Sequence, residues 1–394
     1  MEDRKVYILG GARTAIGDFG GSLKDFMGHQ LAVFPMEEAL RRSQVRKEMV
    51  QEVILGHCIQ RPDEPNTART AALKMGIPPH VPAFTVQRQC SSAMQAIVSG
   101  AQMIQLGEAD VVLAGGVEAM SSSPYMIKTA RWGQRLQHGQ LSDMVWDVLT
   151  DPLNGMLMGM ATEMLVEKYG ITREEQDELA FRSHQNAVQA IREGKFREEI
   201  VPVSIPQKKG PPKILDTDEH PRADISMADL AKLPPIFKKG GTVTTGNSSG
   251  INDGASAVVL MSGKKIRDLG LKPMARIVSY GWAALEPEYF GYGPVLATRQ
   301  ALERANLKIS DMELIELNEA FAGQYVACEK GLGLKREIVN VNGSGISLGH
   351  PVGSTGTRIV VTLLHEMVRR DLKLGLATLC VGGGMGMAMI VERT

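Results

Sequence analysis

The sequence predicts an α/β fold in which two similar α/β halves form a duplicated core, and a loop domain is inserted into the first half. Three observations lead to this prediction. Strand and helix patterns alternate along the chain, several of them recur at a nearly constant spacing, and a long polar stretch interrupts the first copy. Uniformly apolar strands that alternate with helices are typical of parallel sheets covered by helices on both faces, so this pattern predicts parallel strands.

The repeat is clearest in two pairs of segments. Ala39–Arg42 resembles Ala301–Arg304, at an offset of 262 residues. Cys90 and His350 are 260 residues apart, and each stands between a short strand pattern and a helical pattern. A spacing that is kept over several elements indicates duplication, whereas a general similarity between any two α/β segments does not require it.

Further strand patterns complete both halves. Val111–Gly116 and Leu376–Gly383 are apolar runs that end in glycines, and Val6–Leu9 and Ala275–Ser279 stand near the start of each half. The chain is therefore expected to consist of a first core half (residues 1–119 and 250–268), an inserted loop domain (residues 120–249) and a second core half (residues 269–394).

The inserted domain is rich in Met, Pro and polar residues and contains one clear amphipathic helix, near Glu174 to Glu193. A capping box at Thr172–Glu175 opens that helix. Residues 201–212 have the composition of a loop. Because large insertions in the loops of α/β folds usually carry binding functions, we expect ligand contacts in this domain.

Composition and charge exclude several classes of protein. The 44 Lys and Arg residues equal the 44 Asp and Glu residues, and this zero net charge argues against a nucleic-acid partner. The four cysteines are scattered without a C-x-x-C pair, as in a reduced, intracellular protein with no metal site of that type. With neither a secretory signal nor an apolar run of membrane-spanning length, we expect a cytoplasmic protein with no membrane partner.

Cys90 and His350 are the first candidates for chemistry. Each begins a helix pattern, where unpaired N–H groups and the helix dipole favour a thiolate and a neutral imidazole. A nucleophilic Cys beside a neutral His can carry out covalent catalysis. Taken singly, a buried inert Cys and a His at the core edge are the better interpretations. Their matching positions in the two halves favour the catalytic one.

Other candidates lie where strands end. Cys380 ends an apolar strand and leads into Gly382–Gly384, whose backbone N–H groups could form an oxyanion hole or simply a tight β-turn. Asn318 follows the strand pattern Leu314–Leu317 at the end where α/β sheets place their sites. Its amide could orient a water or an oxyanion, although an isolated Asn in this context favours a helix N-cap.

These motifs together resemble the thiolase family from one end of the chain to the other. The matching stretches are Gly11–Gly17, Gln89–Ser92, Gly115–Ser121, Gly246–Ala255, Asn318–Phe321, Gly349–Gly353 and Cys380–Gly384. The resemblance implies a thiolase-like fold whose two similar halves contain mixed sheets. It also implies ping-pong acyl transfer between coenzyme A thioesters, with Claisen condensation or its reverse. The favoured reaction joins two molecules of acetyl-CoA into acetoacetyl-CoA and CoA.

The resemblance also implies a role for each site residue. Cys90 would take the acyl group, and His350 would activate it and help to hold the thioester oxygen. Cys380 would remove a proton from the α-carbon of the second acyl-CoA, while Asn318 would hold a water in the oxyanion hole for the enolate. The N–H groups of Cys90 and Gly382 would form the hole for the acyl-enzyme. No metal or other cofactor is required, because a thioester acidifies its own α-carbon and leaves as a thiolate.

Coenzyme A would bind to the inserted domain. The residues that the resemblance places near it are Arg222 beside the adenine, Ser249 at the pantetheine, Phe237, Met158 and Phe321 along the tunnel, and Leu157 and Ala320 beside the acyl pocket. A solvated loop charge is an equally good interpretation of Arg222. Thiolases assemble as dimers or tetramers, so we expect a homo-oligomer, with residues 125–149 as a tetramer contact.

Two departures from the family pattern bear on the choice of substrate. Leu157 stands where short-chain thiolases often carry a His, and Ala93 stands where the family usually has Gly. The segment Asn340–Gly343 favours the short-chain biosynthetic type, whereas Gln87–Ser92 is closer to the degradative type. The sequence therefore favours an acetyltransferase over a broader 3-ketoacyl-CoA thiolase. A malonyl-dependent ketoacyl synthase and a non-catalytic acyl-CoA-binding subunit are less consistent with the complete set of site candidates.

Overall fold

Strands and helices alternate along residues 2–394, the part of the chain that the computed structural model describes. The strands are β1 Val6–Thr14, β2 Gly17–Asp18, β3 Glu52–Gly56, β4 Ala83–Val86, β5 Val111–Ala119, β6 Tyr125–Met126, β7 Ser142–Asp143, β8 Ile200–Val201, β9 Val203–Ile205, β10 Lys213–Leu215, β11 Asn252–Ser262, β12 Ala275–Ala284, β13 Leu314–Leu317, β14 Leu374–Val381 and β15 Met385–Arg393. The helices are α1 Gly28–Arg42, α2 Thr67–Lys74, α3 Ser92–Leu106, α4 Met144–Val148, α5 Met158–Tyr169, α6 Arg173–Arg192, α7 Met227–Lys232, α8 Gly263–Leu269, α9 Gly293–Ala305, α10 Ala322–Leu332, α11 Gly345–Leu348 and α12 Val352–Arg369.

Most strands belong to one mixed sheet in the order β4-β3-β5-β11-β1-β12-β15-β14-β13, with β2 beside β11 and β8 beside β1. Strand β3 is parallel to β4 and β5, and β13 is parallel to β14. The remaining neighbours along the order are antiparallel. The order β3-β5-β11-β1 in one half is matched by β13-β14-β15-β12 in the other, so the duplicated α/β core is confirmed, as are the mixed sheets that the resemblance implies. The parallel sheets predicted from the apolar strand pattern are wrong for these antiparallel pairs, because antiparallel strands that are buried on both faces are equally apolar.

A short antiparallel pairing joins the two halves of the sheet. Tyr7 of β1 lies opposite Arg276 of β12, and Ile8 lies opposite Ala275. The sequence repeat predicted two similar halves, and this pairing makes their strands one continuous sheet. The counterpart of β4 in the second half, where a strand pattern was expected, is reduced to a single parallel bridge between Val339 and Ile315.

Helices α3 and α12 lie side by side at the centre of the molecule. Their apolar side chains share one buried cluster with strands of both halves. The Thr357 hydroxyl of α12 donates to the Ala93 carbonyl of α3 at 3.1 Å. A Cβ atom on Gly356 would lie 2.4 Å from the backbone nitrogen of Met94, so this glycine allows the first turns of the two helices to touch. This contact brings together the segments that precede the two helices, which contain Cys90 and His350.

The other helices cover the opposite faces of the two halves. Leu31 and Met36 of α1 share a buried cluster with Leu113 of β5. Val295 of α9 shares another with Leu317 of β13. None of the helices in the described part of the chain is long and apolar enough to cross a membrane.

The two halves differ in the link between their matching antiparallel strands. A turn at Gly382–Gly384 connects β14 to β15, whereas residues 120–251 connect β5 to β11. The capping box predicted at Thr172 and Glu175 is present at the start of α6. The insertion also contains α4, α5 and α7, which the sequence patterns did not reveal. Nothing in the structure tests the predicted domain boundaries themselves.

One expectation for the insertion is wrong. Within residues 201–212, predicted to be loop, Val203–Ile205 forms β9, which pairs with β10. The sequence pattern of this strand was weak because the strand is only three residues long and is followed by polar residues and prolines. Nearby, β8 pairs in parallel with β1, so the insertion adds a strand to the core sheet.

Candidate active site

A cavity of about 520 Å³ opens between the core and the inserted segment. Cys90 and His350 line it together. All seven side chains predicted to contact coenzyme A or its acyl group also line it: Leu157, Met158, Arg222, Phe237, Ser249, Ala320 and Phe321. Residues from both halves and from the insertion thus meet around one mostly apolar cavity, although the individual roles of these residues stay predictions.

Cys90 lies in a sharp turn between β4 and α3. Gln89, the residue before it, has a φ of 45°, a left-handed conformation that costs a non-glycine residue free energy. The Ser91 hydroxyl donates to the Arg88 carbonyl at 2.9 Å, and the Ser92 hydroxyl donates to the Gln89 carbonyl at 2.7 Å. These bonds hold the turn that presents Cys90 at the wall of the cavity.

The ionisation expected for Cys90 is wrong for the protein without substrate. Burial raises the pKa of the Cys90 thiol to about 11, and Glu118 adds to this, although the backbone N–H groups of Gly382 and of Cys90 itself oppose the rise. The position at the start of α3 suggested a thiolate, but local helix electrostatics could not show how much protein surrounds the sulfur. Cys90 therefore needs a base to accept its proton.

His350 is fixed by its backbone at the start of α12. Its backbone N–H donates to Asn252 Oδ1 at 3.0 Å. The preceding Gly349 has a φ of 106°, and a Cβ atom there would lie 2.6 Å from the Asn252 side chain. Only glycine fits this close approach, so Gly349 and Asn252 set where the imidazole enters the cavity.

The ring of His350 is neutral. Burial, together with a smaller effect of the positive charge of Arg358, lowers its pKa to about 3. His350 Nδ1 lies 2.7 Å from Thr355 Oγ1, and that hydroxyl donates to the Pro351 carbonyl at 3.0 Å. Because the hydroxyl has one proton and uses it there, Nδ1 is assigned as the protonated nitrogen and Nε2 as the free base. The expectation of a neutral, basic His agrees with this geometry.

Asn318 lies against His350 and does not cap a helix. It follows β13, its side chain is buried, and α10 begins only at Ala322. Its Nδ2 atom is 3.4 Å from Nε2 and 3.5 Å from Nδ1 of His350, so the amide lies beside the ring edge. Its Oδ1 atom accepts a hydrogen bond from Arg358 at 3.4 Å.

Cys380 and Gly382 occupy the end of β14 and the turn that follows it. Cys380 is fully buried in a small cluster with Ala320, against which Met158 and Phe321 pack. Burial raises the pKa of its thiol well above the usual range, and the nearby Cys90 contributes to the rise. The Gly382 N–H points at the Cys90 sulfur, as its effect on the Cys90 pKa indicates. The structure therefore brings the two predicted thiols and the glycine turn together.

Several buried polar residues that hold the site were not predicted. The carboxylate of Glu118 accepts hydrogen bonds from the backbone N–H groups of Cys58, Ile59 and Gly353, at 2.7 to 3.2 Å. Glu118 thereby ties β5 to the first turn of α12. Arg358 and Thr355 were missed as well. A signal existed for Arg358, since an arginine beside a run of apolar helix residues is unusual unless it has a buried partner.

The mouth of the cavity carries charged side chains near Arg222. His220 Nδ1 lies 2.6 Å from Asp18 Oδ1, and this contact lowers the pKa of Asp18. The backbone N–H of Arg222 donates to His184 Nδ1 at 3.1 Å. Burial lowers the pKa of His184 to about 4, so this ring is a neutral acceptor. Among the described residues, no group of three or more His, Cys, Asp or Glu side chains is arranged to hold a metal ion.

Comparisons with known proteins agree with this arrangement. The family profile described as "Thiolase, N-terminal domain" matches residues 6–264, and "Thiolase, C-terminal domain" matches residues 271–393. An acetyl-CoA acetyltransferase of Syntrophomonas wolfei is 51% identical over 99% of both chains.

Solved structures are similar over the same length. The crystal structure of the Bacillus anthracis acetyl-CoA acetyltransferase has a TM-score of 0.98 and 55% identity, covering 99% of both chains. Human mitochondrial 3-ketoacyl-CoA thiolase in complex with CoA has a TM-score of 0.96 and 42% identity, covering 100% of this chain and 99% of the other. From its two matched domains, its full-length relatives and its fold, the chain belongs to the thiolase family.

Proposed function

We propose that this chain is an acyltransferase that joins two molecules of acetyl-CoA into acetoacetyl-CoA and CoA, or catalyses the reverse reaction. One observation carries the proposal. A half-buried Cys with a backbone N–H at its sulfur and a neutral His with a free Nε2 line one mostly apolar cavity, and a buried amide lies beside the His ring. The bacterial acetyl-CoA acetyltransferases that resemble it over their full length support this assignment.

In the first half of the reaction, His350 Nε2 accepts the Cys90 proton as the thiolate attacks the acetyl carbonyl. The oxyanion forms beside the backbone N–H groups of Cys90 and Gly382, which stabilise it more strongly in a cavity closed to water. His350 then returns the proton to the departing CoA thiolate. The raised pKa of Cys90 means that the nucleophile forms only when acceptor and substrate are both in place.

In the second half, the proton balance runs through His350 and Cys380. The Cys380 proton passes to His350, and the Cys380 thiolate removes an α-proton from the second acetyl-CoA. The imidazolium and a water held by Asn318 stabilise the enolate oxygen. The enolate carbon attacks the acetyl group on Cys90, the Cys90 thiolate leaves and His350 returns the proton to it. Each group thus ends in its starting state, and the thioesters need no further cofactor.

The acetyl-enzyme step is tested by mixing the protein with excess acetyl-CoA and following free CoA in the first turnover. We expect a burst of about one CoA per active site, and mass spectrometry should place one acetyl group on the Cys90 peptide. A non-catalytic acyl-CoA-binding subunit would bind acetyl-CoA without any burst. A ketoacyl synthase would need a malonyl donor, so condensation of acetyl-CoA alone separates that alternative.

A second candidate function is thiolysis of longer 3-ketoacyl-CoA substrates. The apolar side chain of Leu157 lines the cavity beside Met158, where it offers contact to an alkyl chain. The similarity to human mitochondrial 3-ketoacyl-CoA thiolase is compatible with this reaction. Comparing kcat/KM for acetoacetyl-CoA and for 3-ketoacyl-CoA of increasing length decides between the two. A value that falls steadily with length favours the acetyl-specific reaction.

We also propose that the chain acts in the cytoplasm as a homo-oligomer, a dimer or a tetramer. Several large apolar side chains of the insertion are exposed in the single chain: Tyr125, Ile127, Trp132, Leu136, Leu141 and Trp146. The sheet also ends at β4, an edge strand free to pair with a second copy. Light scattering and analytical ultracentrifugation measure the assembly, and a monomer at micromolar concentration would contradict it.

A further inference from the structure

Arg358 occupies an unusual position on α12, about two turns after His350. It is 1% exposed. Its guanidinium faces three acceptors on other segments: Glu316 Oε2 at 3.5 Å, Asn318 Oδ1 at 3.4 Å and Ser344 Oγ at 3.3 Å. A single buried cation therefore contacts β13, the residue that follows this strand and the segment before α11.

Stability does not account for this arrangement. The three hydrogen bonds of Arg358 are long, and its Nε atom is buried without a partner among the described residues. Burial also lowers the pKa of Arg358, so the charged form is held against a desolvation penalty. Such a group stabilises a fold less than apolar residues of similar volume would, since the penalty exceeds what long bonds recover.

The contact with Asn318 has a directional consequence. A guanidinium has only N–H donors, so the atom of the Asn318 amide that faces it has to be the oxygen. The same constraint turns the Nδ2 donor towards the His350 ring. If Arg358 were absent, the reversed amide would fit the same space and would present Oδ1, instead of the Nδ2 donor, to the water that bonds to the enolate oxygen.

The first half of the chain provides an internal comparison. At the repeat offsets, the position of Asn318 corresponds to Gly56 and the position of Arg358 corresponds to Val98. Val98 is buried in an apolar cluster and makes no polar contact of this kind. The arginine thus occurs in the half that has an amide to orient, and an apolar residue takes its place in the half that has none.

We propose that Arg358 is a positioning residue: it fixes the orientation of the Asn318 amide, so that Nδ2 is available to hold the water that stabilises the enolate. The proposal rests on the proposed function, because it assigns Arg358 to the carbon–carbon bond-forming half of that reaction. Arg358 does not touch Cys90 or the acyl group, and it affects acetyl transfer only through its smaller contribution to the lowered pKa of His350. The transfer of an acetyl group between CoA molecules should therefore depend on it less than condensation does.

The test compares two reactions of the same variants. Exchange of labelled CoA into acetyl-CoA reports Cys90 acylation alone, and acetoacetyl-CoA formation reports the enolate steps as well. For Arg358→Met, we expect condensation to fall about 30-fold and exchange to change less than about 3-fold. When Arg358→Met is added to Asn318→Ala, the rate of condensation should fall by no more than about another 2-fold, since the amide that Arg358 orients is already absent.

Further variants keep the test decisive if Arg358→Met folds poorly. Arg358→Met/Glu316→Gln removes both buried charges, and Arg358→Lys keeps a charge but loses the planar fork. The double variant should show a lower ratio of condensation to exchange than the wild type. Arg358→Lys should keep a ratio closer to the wild type, since an ammonium group also has only N–H donors to face the Asn318 oxygen. Thr362→Val is the control on the same helix. It removes a buried hydroxyl that donates a hydrogen bond to Glu199, and it should leave the ratio of condensation to exchange unchanged.

Two results would overturn the proposal: equal losses in both reactions for the Arg358 variants, or an undiminished effect of Arg358→Met in the Asn318→Ala background. A wild-type protein that shows no exchange at all would instead overturn the proposed function.

Discussion

The two halves of the molecule have the same strand order but supply different chemistry. The first half places Cys90 before α3, and the second places His350 at the matching position before α12. Where the first half has Gly56 at the end of β3, the second has Asn318 after β13. In the proposed mechanism, one scaffold used twice thus supplies a nucleophile from one copy and a base with an amide from the other.

Packing explains why the matching positions cannot be exchanged. A Cβ atom on Gly56 would lie 2.3 Å from the backbone nitrogen of Ala93, so the start of α3 sits directly on β3. In the second half, the Asn318 side chain fills the corresponding region and Arg358 contacts it from α12. The duplication therefore keeps the same strand order in both halves. The distance between the strand end and the helix beside it decides whether that position can hold a polar side chain.

The largest expected effect comes from removing the nucleophile of the first half. Cys90→Ala should lower acetyl exchange and condensation by about 10⁴-fold or more, because no acyl-enzyme forms. Steady-state assays of both reactions measure this. Cys328→Ala is the matched control, since Cys328 is a buried thiol of the second half that bonds to the Gly291 carbonyl outside the cavity. Condensation at the wild-type rate in Cys90→Ala would contradict the division between the halves.

Removing the second thiol should separate the two reactions. Cys380→Ser should lower condensation by about 10³-fold, because a serine hydroxyl is a much poorer base than a thiolate for the α-proton. Exchange through Cys90 should stay within about 5-fold of the wild type, since Cys380 takes no part in acylation. If Cys380→Ser lowers both rates equally, the proton transfers are not confined to the second half.

The contact that orients His350 should affect both reactions together. Thr355→Val removes the acceptor of His350 Nδ1, so the ring loses the hydrogen bond that holds Nε2 as the free base. We expect exchange and condensation to fall by similar factors of about 10 to 100. This differs from the selective loss expected for Arg358→Met. A selective effect of Thr355→Val on condensation would show that His350 does not activate Cys90.

The packing difference between the halves predicts an effect on stability. Gly56→Ala forces the start of α3 away from β3 and should lower the free energy of unfolding by about 3 kcal/mol. Urea denaturation followed by circular dichroism measures the change. Gly139→Ala is the control, because a Cβ atom there would meet its nearest neighbour, Gln134, at 3.7 Å. Equal stabilities of the two variants would contradict the packing argument.

The last expected effect concerns the pH dependence of stability. Burial lowers the pKa of His365 on α12 to about 4, whereas the matching position of α3 is Gln105. Between pH 6.5 and 4 the unfolded chain binds a proton at His365 that the folded chain does not, so His365 destabilises the fold as the pH falls. Relative to His365→Gln, the wild type should lose at most about 1.4 kcal/mol per pH unit in this range. A difference in the free energy of unfolding between the wild type and His365→Gln that does not change with pH would contradict the lowered pKa of His365.

The sequence identified what depends on local patterns. The duplicated core followed from the recurring strand and helix signals, and the positions of Cys90, His350 and Asn318 followed from motifs at element ends. The short strand β9 was missed because three residues carry too little periodicity. The pairing of β1 with β12 was also beyond local patterns, since it depends on how the halves meet.

The parts of the site that could not be predicted depend on long-range contacts. Glu118 and Arg358 act through partners that are far away in the chain, such as Gly353 for Glu118 and Asn318 for Arg358. The raised pKa of Cys90 has the same origin, because burial is a property of the assembled fold and outweighs the favourable start of α3. Residue types at the ends of elements indicate a site, but its electrostatics require the packed structure.

The division of chemistry between the halves is tested most directly by the acetylation state of Cys380→Ser. After this variant is mixed with acetyl-CoA, intact-mass and peptide mass spectrometry should find about one acetyl group per chain, on Cys90, with almost no acetoacetyl-CoA in solution. The acetyl group should leave again when free CoA is added. An unmodified Cys90, or an acetyl group on another residue, would contradict the account.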